Sequence, residues 1–198
     1  MKTEIEVKFL KQDHQKIRDL LTKLGAECVE PMRLMKRAIV DFPDRRLQTG
    51  ENGSFIRVRD EGDKVTLTYK QFNSLSVDGA KEIETQVDSF DDAVHIFTSI
   101  GLEVVSLQES KRETWKYKEF EIVLDEWPWL EPYIEIEAGS EEALKTFSNL
   151  LGLNWSDAVF GDVMVAYYAQ YPQLTEKDTV GTLKEVRFHA PFPESWVR

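Results

Sequence analysis

Near its N-terminus the chain reads Glu4-Ile5-Glu6-Val7-Lys8-Phe9. A β-strand sends successive side chains to opposite faces, so Glu4, Glu6 and Lys8 share one face and Ile5, Val7 and Phe9 the other. The same alternation recurs downstream. Arg57 and Arg59 stand together in Phe55 to Arg59, and Thr66, Thr68 and Lys70 in Val65 to Lys70. Lys81 to Val87 groups Glu82, Glu84 and Gln86, and Ser110 to Trp115 groups Ser110, Arg112 and Thr114. Glu119 to Asp125 sets Glu119, Glu121 and Asp125 against Phe120, Ile122 and Leu124; Tyr133 to Ala138 sets Glu135 and Glu137 against Ile134 and Ile136. One such stripe is ordinarily the solvent face of a half-buried strand. Here the stripes are sorted, with carboxylates on the first and last strands and guanidinium or ammonium groups on the middle ones.

Helical periods interrupt the strands. Asp13 caps a helix carrying Ile17, Leu20, Leu21 and Leu24, which Gly25 ends. A second starts near Ser89, buries Val94, Phe97 and Ile100, and ends at Gly101. A third starts at Ser140, carries Ala143, Leu144, Phe147, Leu150 and Leu151, and ends at Gly152. A weaker fourth runs from about Ser156 to Tyr168. Turns are marked by Pro43-Asp44, Glu51-Asn52-Gly53, Glu61-Gly62-Asp63, Asp78-Gly79 and Trp127-Pro128. Runs of strands with a few amphipathic helices give an α+β class. Alternating polar and apolar faces on so many strands suit a closed antiparallel β-barrel of about eight strands, with a polar tunnel and helices packed outside.

The 198 residues suit one domain, and 41% apolar residues, including five Trp and eleven Phe, suffice for a core. The net charge of −11 argues against non-specific binding to nucleic acid or to an anionic membrane, while leaving room for a basic pocket inside an acidic protein. Cys28 is the single cysteine, so no intrachain disulfide forms; it reads as a buried small residue. The N-terminus lacks an apolar signal segment, and no run is long enough to span a membrane. The expected location is the cytoplasm. His14, His95 and His189 are scattered and are not read as ligands. Trp127-Pro128-Trp129-Leu130 reads first as a hydrophobic turn and second as a surface for stacking a base.

Sorted cations and carboxylates facing one lumen have a chemical use. Arg forks and Lys ammonium groups pair with phosphate oxygens. Carboxylates hold hard divalent cations, and such a cation neutralises and orients a polyphosphate. Glu4-x-Glu6-x-Lys8 resembles the ExExK signature of the CYTH family, the triphosphate tunnel metalloenzymes. Phe55-Ile-Arg57-Val-Arg59 is similar to that family's LRxR strand, Leu67-Thr-Tyr-Lys70 to its LTxK strand, and Lys81-Glu82-Ile-Glu84 to its (R/K)EEIE strand. Lys111-Arg112-Glu113-Thr114-Trp115 resembles its basic strand, Leu124-Asp125-Glu126-Trp127 its metal-binding Asp strand, and Tyr133-Ile-Glu135-Ile-Glu137 its terminal EIE strand. The resemblance covers about residues 1 to 170, and the ordered set is far more specific than any one motif. Two departures stand out. Ser110 stands where the family's basic strand has an inward Lys, so either that contact is lost or the register shifts to bring Lys111 inward. Ile39-Val40-Asp41 replaces the aromatic YFD.

The resemblance implies Glu4, Glu6, Asp125, Glu135 and Glu137 as metal ligands and Mg²⁺ or Mn²⁺ as the cofactor. It implies Lys8, Arg57, Arg59, Lys70 and Arg112 as phosphate ligands, with Arg37 an extra basic candidate. Glu4, Glu6, Lys8, Glu82 and Glu84 form the expected catalytic set. The expected domain spans residues 1–172, and residues 173–198 form a tail, packed or mobile. The expected activity is metal-dependent hydrolysis of a small-molecule triphosphate, inorganic tripolyphosphate first and a nucleoside or thiamine triphosphate next. The alternatives are a class IV adenylate cyclase, making cyclic AMP and pyrophosphate from ATP, and a non-catalytic polyphosphate or nucleotide sensor. No nucleic-acid or membrane partner is expected, and a homodimer is left open.

Overall fold

The N-terminal alternation folds as two short strands, β1 (Lys2–Glu4) and β2 (Glu6–Phe9), broken at Ile5. The computed structural model describes residues 1–49, 53–72, 74, 76–175 and 177–197. The remaining elements are α1 (His14–Leu24), β3 (Glu27–Asp41), β4 (Ser54–Asp60), β5 (Val65–Phe72), β6 (Ala80–Val87), α2 (Phe90–Ser99), β7 (Glu103–Tyr117), β8 (Phe120–Glu126), β9 (Tyr133–Glu137), α3 (Glu141–Leu150), β10 (Ala158–Val159), α4 (Met164–Gln170) and β11 (Glu185–Val186). Of the turn expected at Glu51-Asn52-Gly53, only Gly53 lies within the described residues.

The strands form one curled, mostly antiparallel sheet in the order β1-β6-β5-β4-β3-β7-β8-β9-β2-β10, with β11 running parallel beside β7. β1 pairs with β6 at one end of this path and β2 with β9 near the other, and a single residue joins them. The N-terminal segment thus links the two ends of the curl. At the break, the Ile5 carbonyl accepts from the Ala138 N–H and the Glu6 N–H donates to Val77 O. Counted once, that segment and β3 to β9 give the eight expected wall strands. The observed eleven come from its splitting and from the two-residue strands β10 and β11.

β3 and β7 are the longest strands, 15 residues each, and they pair along most of their length with register shifts at Cys28/Glu30, Glu30/Arg33 and Ile39/Val40. Such bulges sharpen the twist that wraps a sheet. They also break strict alternation, which is why the pattern foretold only the end of β3 and the second half of β7. Pro31 falls within the second shift, where a missing N–H is tolerated. The first three residues of β3 are all exposed, and Cys28 is among them rather than buried.

The outer faces of β2, β8 and β9 are apolar, as the alternation dictates. Val7, Phe9, Ile122, Leu124, Ile134 and Ile136 pack there with Ile17 and Leu21 of α1 and Leu144 and Phe147 of α3. Full burial of each such side chain stabilises by roughly 1.5–3 kcal/mol, so this face turns the opposite, charged one inward. The caps are those the sequence implied. Asp13 accepts from Gln15 and Lys16 N–H groups, Ser89 from Asp92 and Ser140 from Ala143, and Gly25, Gly101 and Gly152 take positive φ after their helices. Two expected apolar stripes are only partly buried. α2 buries Ala93, with Val94 and Phe97 half-buried and Ile100 exposed; α3 leaves Leu150 exposed and seals with Leu151 instead. The fourth helix is shorter than expected. Gly161, at φ 119°, interrupts it, and the Asp162 carboxylate accepts the Met164 N–H at 2.9 Å, so the α-helix starts at Met164.

The C-terminal segment is packed. Leu174, Val180, Val186 and Trp196 are buried in a second apolar cluster with Trp127, Tyr133, Met164 and Tyr167. β11 is held to β7 by the Leu107 N–H donating to Lys184 O, and Ser106 Oγ and Gln108 Nε2 both donate to Val180 O. Among the described residues no helix is long and apolar enough to cross a membrane.

Candidate active site

The curled sheet encloses a cavity of about 1610 Å³. Glu4, Glu6, Lys8, Arg37, Arg57, Arg59, Lys70, Glu82, Glu84, Arg112, Glu135 and Glu137 all line it, so every expected site residue but one is brought together. The exception is Asp125. Its side chain is fully buried and does not line the cavity; it clamps Arg112 with two bonds, Nε to Oδ1 at 2.7 Å and Nη2 to Oδ2 at 2.5 Å.

Strand register places the charges. Across β2 and β9, Lys8 faces Glu135 and Glu6 faces Glu137. Across β5 and β6, Lys70 faces Glu82 and Thr68 faces Glu84. Across β3 and β4, Arg37 faces Arg59. Two chemically different walls result. On the first, Lys8 Nζ lies 3.1 Å from Glu6 and 3.3 Å from Glu135, and Lys70 Nζ lies 2.5 Å from Glu4 and 3.8 Å from Glu6. On the second, Arg37, Arg57, Arg59 and Arg112 crowd one another, with Glu84 3.5 Å from Arg57 and 3.7 Å from Arg59. Arg112 joins the walls, because its Nη2 also reaches Glu135 at 3.2 Å.

The electrostatics follow. Burial works to raise the Glu135 carboxyl, but Lys8 and Arg112 outweigh it and hold the pKa at about 2. Burial likewise opposes the charge on Lys8, yet Glu135 and Glu6 carry its pKa above the ordinary lysine value. Lys70 is raised in the same way by Glu6 and Glu4, and Glu4 is held low by Lys70 against its burial. Glu82 has burial and the Glu4 charge both acting upward and lies at about 7. Arg57 is pulled down to about 10 by burial and by Arg59.

The ambiguity at the basic strand is settled by position. Ser110 is buried and its Oγ accepts from Arg37 Nη2, whereas Lys111 is turned out, 3.4 Å from Glu126 and over the Phe188 ring. Sequence reasoning missed three groups at the site. Glu61, nearly fully buried, grips Arg59 through Nε at 2.9 Å and Nη2 at 2.6 Å, and also holds Arg33. Tyr133 lines the cavity with its phenol pushed strongly upward by burial, then by Asp125 and Glu135. Asp162 lines it from the strap before α4. Glu61 could have been found from its place two residues after Arg59, just past the end of β4; no local signal marks the other two.

The oxygen-only carboxylate set has the right chemistry for a hard divalent cation. Among the described residues, however, no three acidic, His or Cys side chains converge as a metal site, because Lys8 and Lys70 occupy the space between Glu4, Glu6 and Glu135.

The chain is 26% identical over 136 residues, 68% of its length, to a protein of Methanocaldococcus jannaschii named as a putative adenylate cyclase, covering 75% of that relative. Its fold is similar to that of a putative adenylate cyclase from Vibrio parahaemolyticus, with TM-score 0.72 at 17% identity over 84% of this chain and 98% of the other. It is also similar to that of a putative adenylyl cyclase from Hippeastrum described as having a dominant triphosphatase activity, with TM-score 0.56 at 17% identity, covering 87% and 97% of the two chains. Residues 2–154 match the CYTH domain, a span that takes in all eight wall strands and every site residue expected from the sequence, and on that match the chain belongs to the CYTH family.

Proposed function

We propose that this chain hydrolyses a small-molecule triphosphate in its lumen with Mg²⁺ or Mn²⁺ as cofactor. The observation that carries the reading is the guanidinium wall. Four buried or half-buried arginines converge where Glu84 is the nearest shared carboxylate, so like charges crowd one another on neighbouring strands of one wall at a cost. A polyanion removes that cost, and phosphate oxygens match the fork geometry of arginine. Arg57, Arg59 and Arg112 would bind the chain along this wall, and Lys8 and Lys70 would bind it from the facing one. Glu4, Glu6, Glu135 and Glu137 would then hold the metal, with Glu82 and Glu84 beside them and Asp125 fixing Arg112. CYTH enzymes are divalent-metal dependent; the cation supplies charge neutralisation on the phosphates and an activated water. The protein's own part is to align the phosphorus with its attacker and keep bulk water out.

A second reading, an adenylate cyclase, is favoured by the name of the archaeal relative. It needs a surface that orients base and ribose, and Trp127, one of the aromatic side chains lining the cavity, already has a guanidinium on its face. The test is product analysis. The purified chain is incubated with Mn²⁺ and either tripolyphosphate or ATP, and the products are separated by chromatography. Tripolyphosphate should give pyrophosphate and phosphate, with ATP giving ADP and phosphate at a lower kcat/KM. Cyclic AMP with equimolar pyrophosphate from ATP, and no turnover of tripolyphosphate, would establish the cyclase instead.

A further inference from the structure

Arg37 differs from the other buried and half-buried cations that the strands turn into the lumen. Lys8, Arg57, Arg59, Lys70 and Arg112 each form an ion pair with a carboxylate. Among the described residues no ion pair involves Arg37, although it is only 7% exposed. Its Nη2 donates to Ser110 Oγ, its guanidinium carbon sits 4.4 Å over the Trp127 ring, and its Nε has no hydrogen-bond partner. It faces Arg59 across the β3–β4 pairing.

A buried cation without a counter-ion is expensive, and stacking on one ring with one neutral hydrogen bond offsets only part of that cost. An arginine kept for packing would have a carboxylate, as Arg18 has Glu113 and Arg33 has Glu61. What Trp127 and Ser110 do instead is fix the plane and one edge of the guanidinium, leaving its remaining donors for a planar or tetrahedral oxyanion. The geometry points to Arg37 as the anchor of a phosphate subsite of its own, with Ser110 and Trp127 as its positioning residues. This rests on the triphosphate reading and adds which phosphate is held. Along β3 the next lining residue is Ile39, so the phosphate on Arg37 is the one on the Ile39 side of the lumen. The subsite also supplies, from β3, a cation at the place on β7 where the strand carries Ser110.

Calorimetric binding of inorganic tripolyphosphate to the full chain, in excess chelator, reads this subsite without metal or turnover. Arg37→Met should weaken binding about tenfold or more, since charge-assisted contacts are the strong ones. Adding Ser110→Lys to that variant puts an ammonium where Nη2 lay and should recover most of the loss. Trp127→Leu should weaken binding, and Trp127→Phe, which keeps a ring beneath the guanidinium, should restore it. The ligand-free melting temperature of Arg37→Met should be unchanged or higher. If that variant does not fold, Arg37→Gln removes the charge while keeping a donor to Ser110, and the same loss is expected. Binding within twofold of wild type, with a lowered melting temperature, would make Arg37 structural and overturn the subsite. Arg57→Ala serves as the control: loss there with binding kept in Arg37→Met overturns the subsite alone. Failure of the wild type to bind tripolyphosphate overturns the triphosphate reading and the subsite with it.

Discussion

Arg57 shows how much a single lumen residue gives up for binding. Its guanidinium donates to Thr68 Oγ1 at 3.1 Å, has Glu84 only at 3.5 Å, and leaves Nε without a partner. Burial and Arg59 both work against its charge. Arg57→Ala should therefore leave the ligand-free melting temperature level or raise it, because repulsion is relieved. A charge-assisted contact is worth about 1.5–3 kcal/mol, so kcat/KM on a triphosphate should fall at least about tenfold. Steady-state kinetics beside thermal melting decide it; a large drop in melting temperature with unchanged kinetics would contradict the assignment. At this scale, the residues legible in the sequence were those whose direction the backbone alone dictates. Glu4, Glu6 and Lys8 must share a face at i, i+2, and so must Glu135 and Glu137. What was not legible is who meets whom. Arg37 reaches Ser110 and Asp125 is spent on Arg112, and both contacts depend on register and side-chain reach across strands. Cys28 shows the opposite error, for an apolar-looking residue was assigned to a core at a point where the strand is exposed.

Elements are joined to the barrel by contacts that the helical period could not name. α1 was legible from its cap, its apolar stripe and Gly25, but not the way it is pinned: Arg18 reaches across to Glu113 of β7 with Nε at 3.0 Å and Nη2 at 2.9 Å. Trp115 Nε1 donates to the same carboxylate at 2.6 Å. Burial pushes the Glu113 carboxyl upward, but the bonds from Arg18 and Trp115 outweigh it and hold its pKa below the ordinary value. The sign follows from linkage. A carboxyl depressed in the folded state contributes stability fully above its unfolded value, near 4.3, and loses it as pH falls through the folded one. Glu113→Gln should thus cost about 1–3 kcal/mol at pH 7. The gap between wild type and variant should be flat above about pH 5 and shrink below it. Urea unfolding at several pH values measures this, and a gap independent of pH down to acid conditions would show that the charge on Glu113 does not matter. α4 and the C-terminal segment were the least legible elements. Isolated anchors, Leu174, Val180, Val186 and Trp196, hold that segment, and a period cannot be read from anchors six or more residues apart.

The whole molecule holds most of its lumen charges in mutual balance. The curl is joined end to end by the same N-terminal segment that supplies Glu4, Glu6 and Lys8, so these lumen charges and the closure of the wall are one piece of chain. Without ligand, Lys8 and Lys70 sit among Glu4, Glu6 and Glu135, and among the described residues no acidic cluster is open to a metal. On the proposed reading a triphosphate would compete for those ammonium groups, and each lysine that turned to it would leave a carboxylate exposed to its neighbours, which would raise the affinity for a divalent cation. A ligand that binds only the folded state raises its stability in proportion to the logarithm of its concentration over Kd, so melting temperatures report both events. Mn²⁺ alone should shift the melting temperature little, tripolyphosphate in chelator moderately, and the two together by more than the sum of the separate shifts. Lys70→Met unmasks Glu4 permanently, so it should enlarge the shift from Mn²⁺ alone while diminishing the shift from tripolyphosphate. If Mn²⁺ alone stabilises the wild type as strongly as it does with tripolyphosphate present, and Lys70→Met leaves that shift unchanged, the lysines do not guard the carboxylates and the two ligands bind independently.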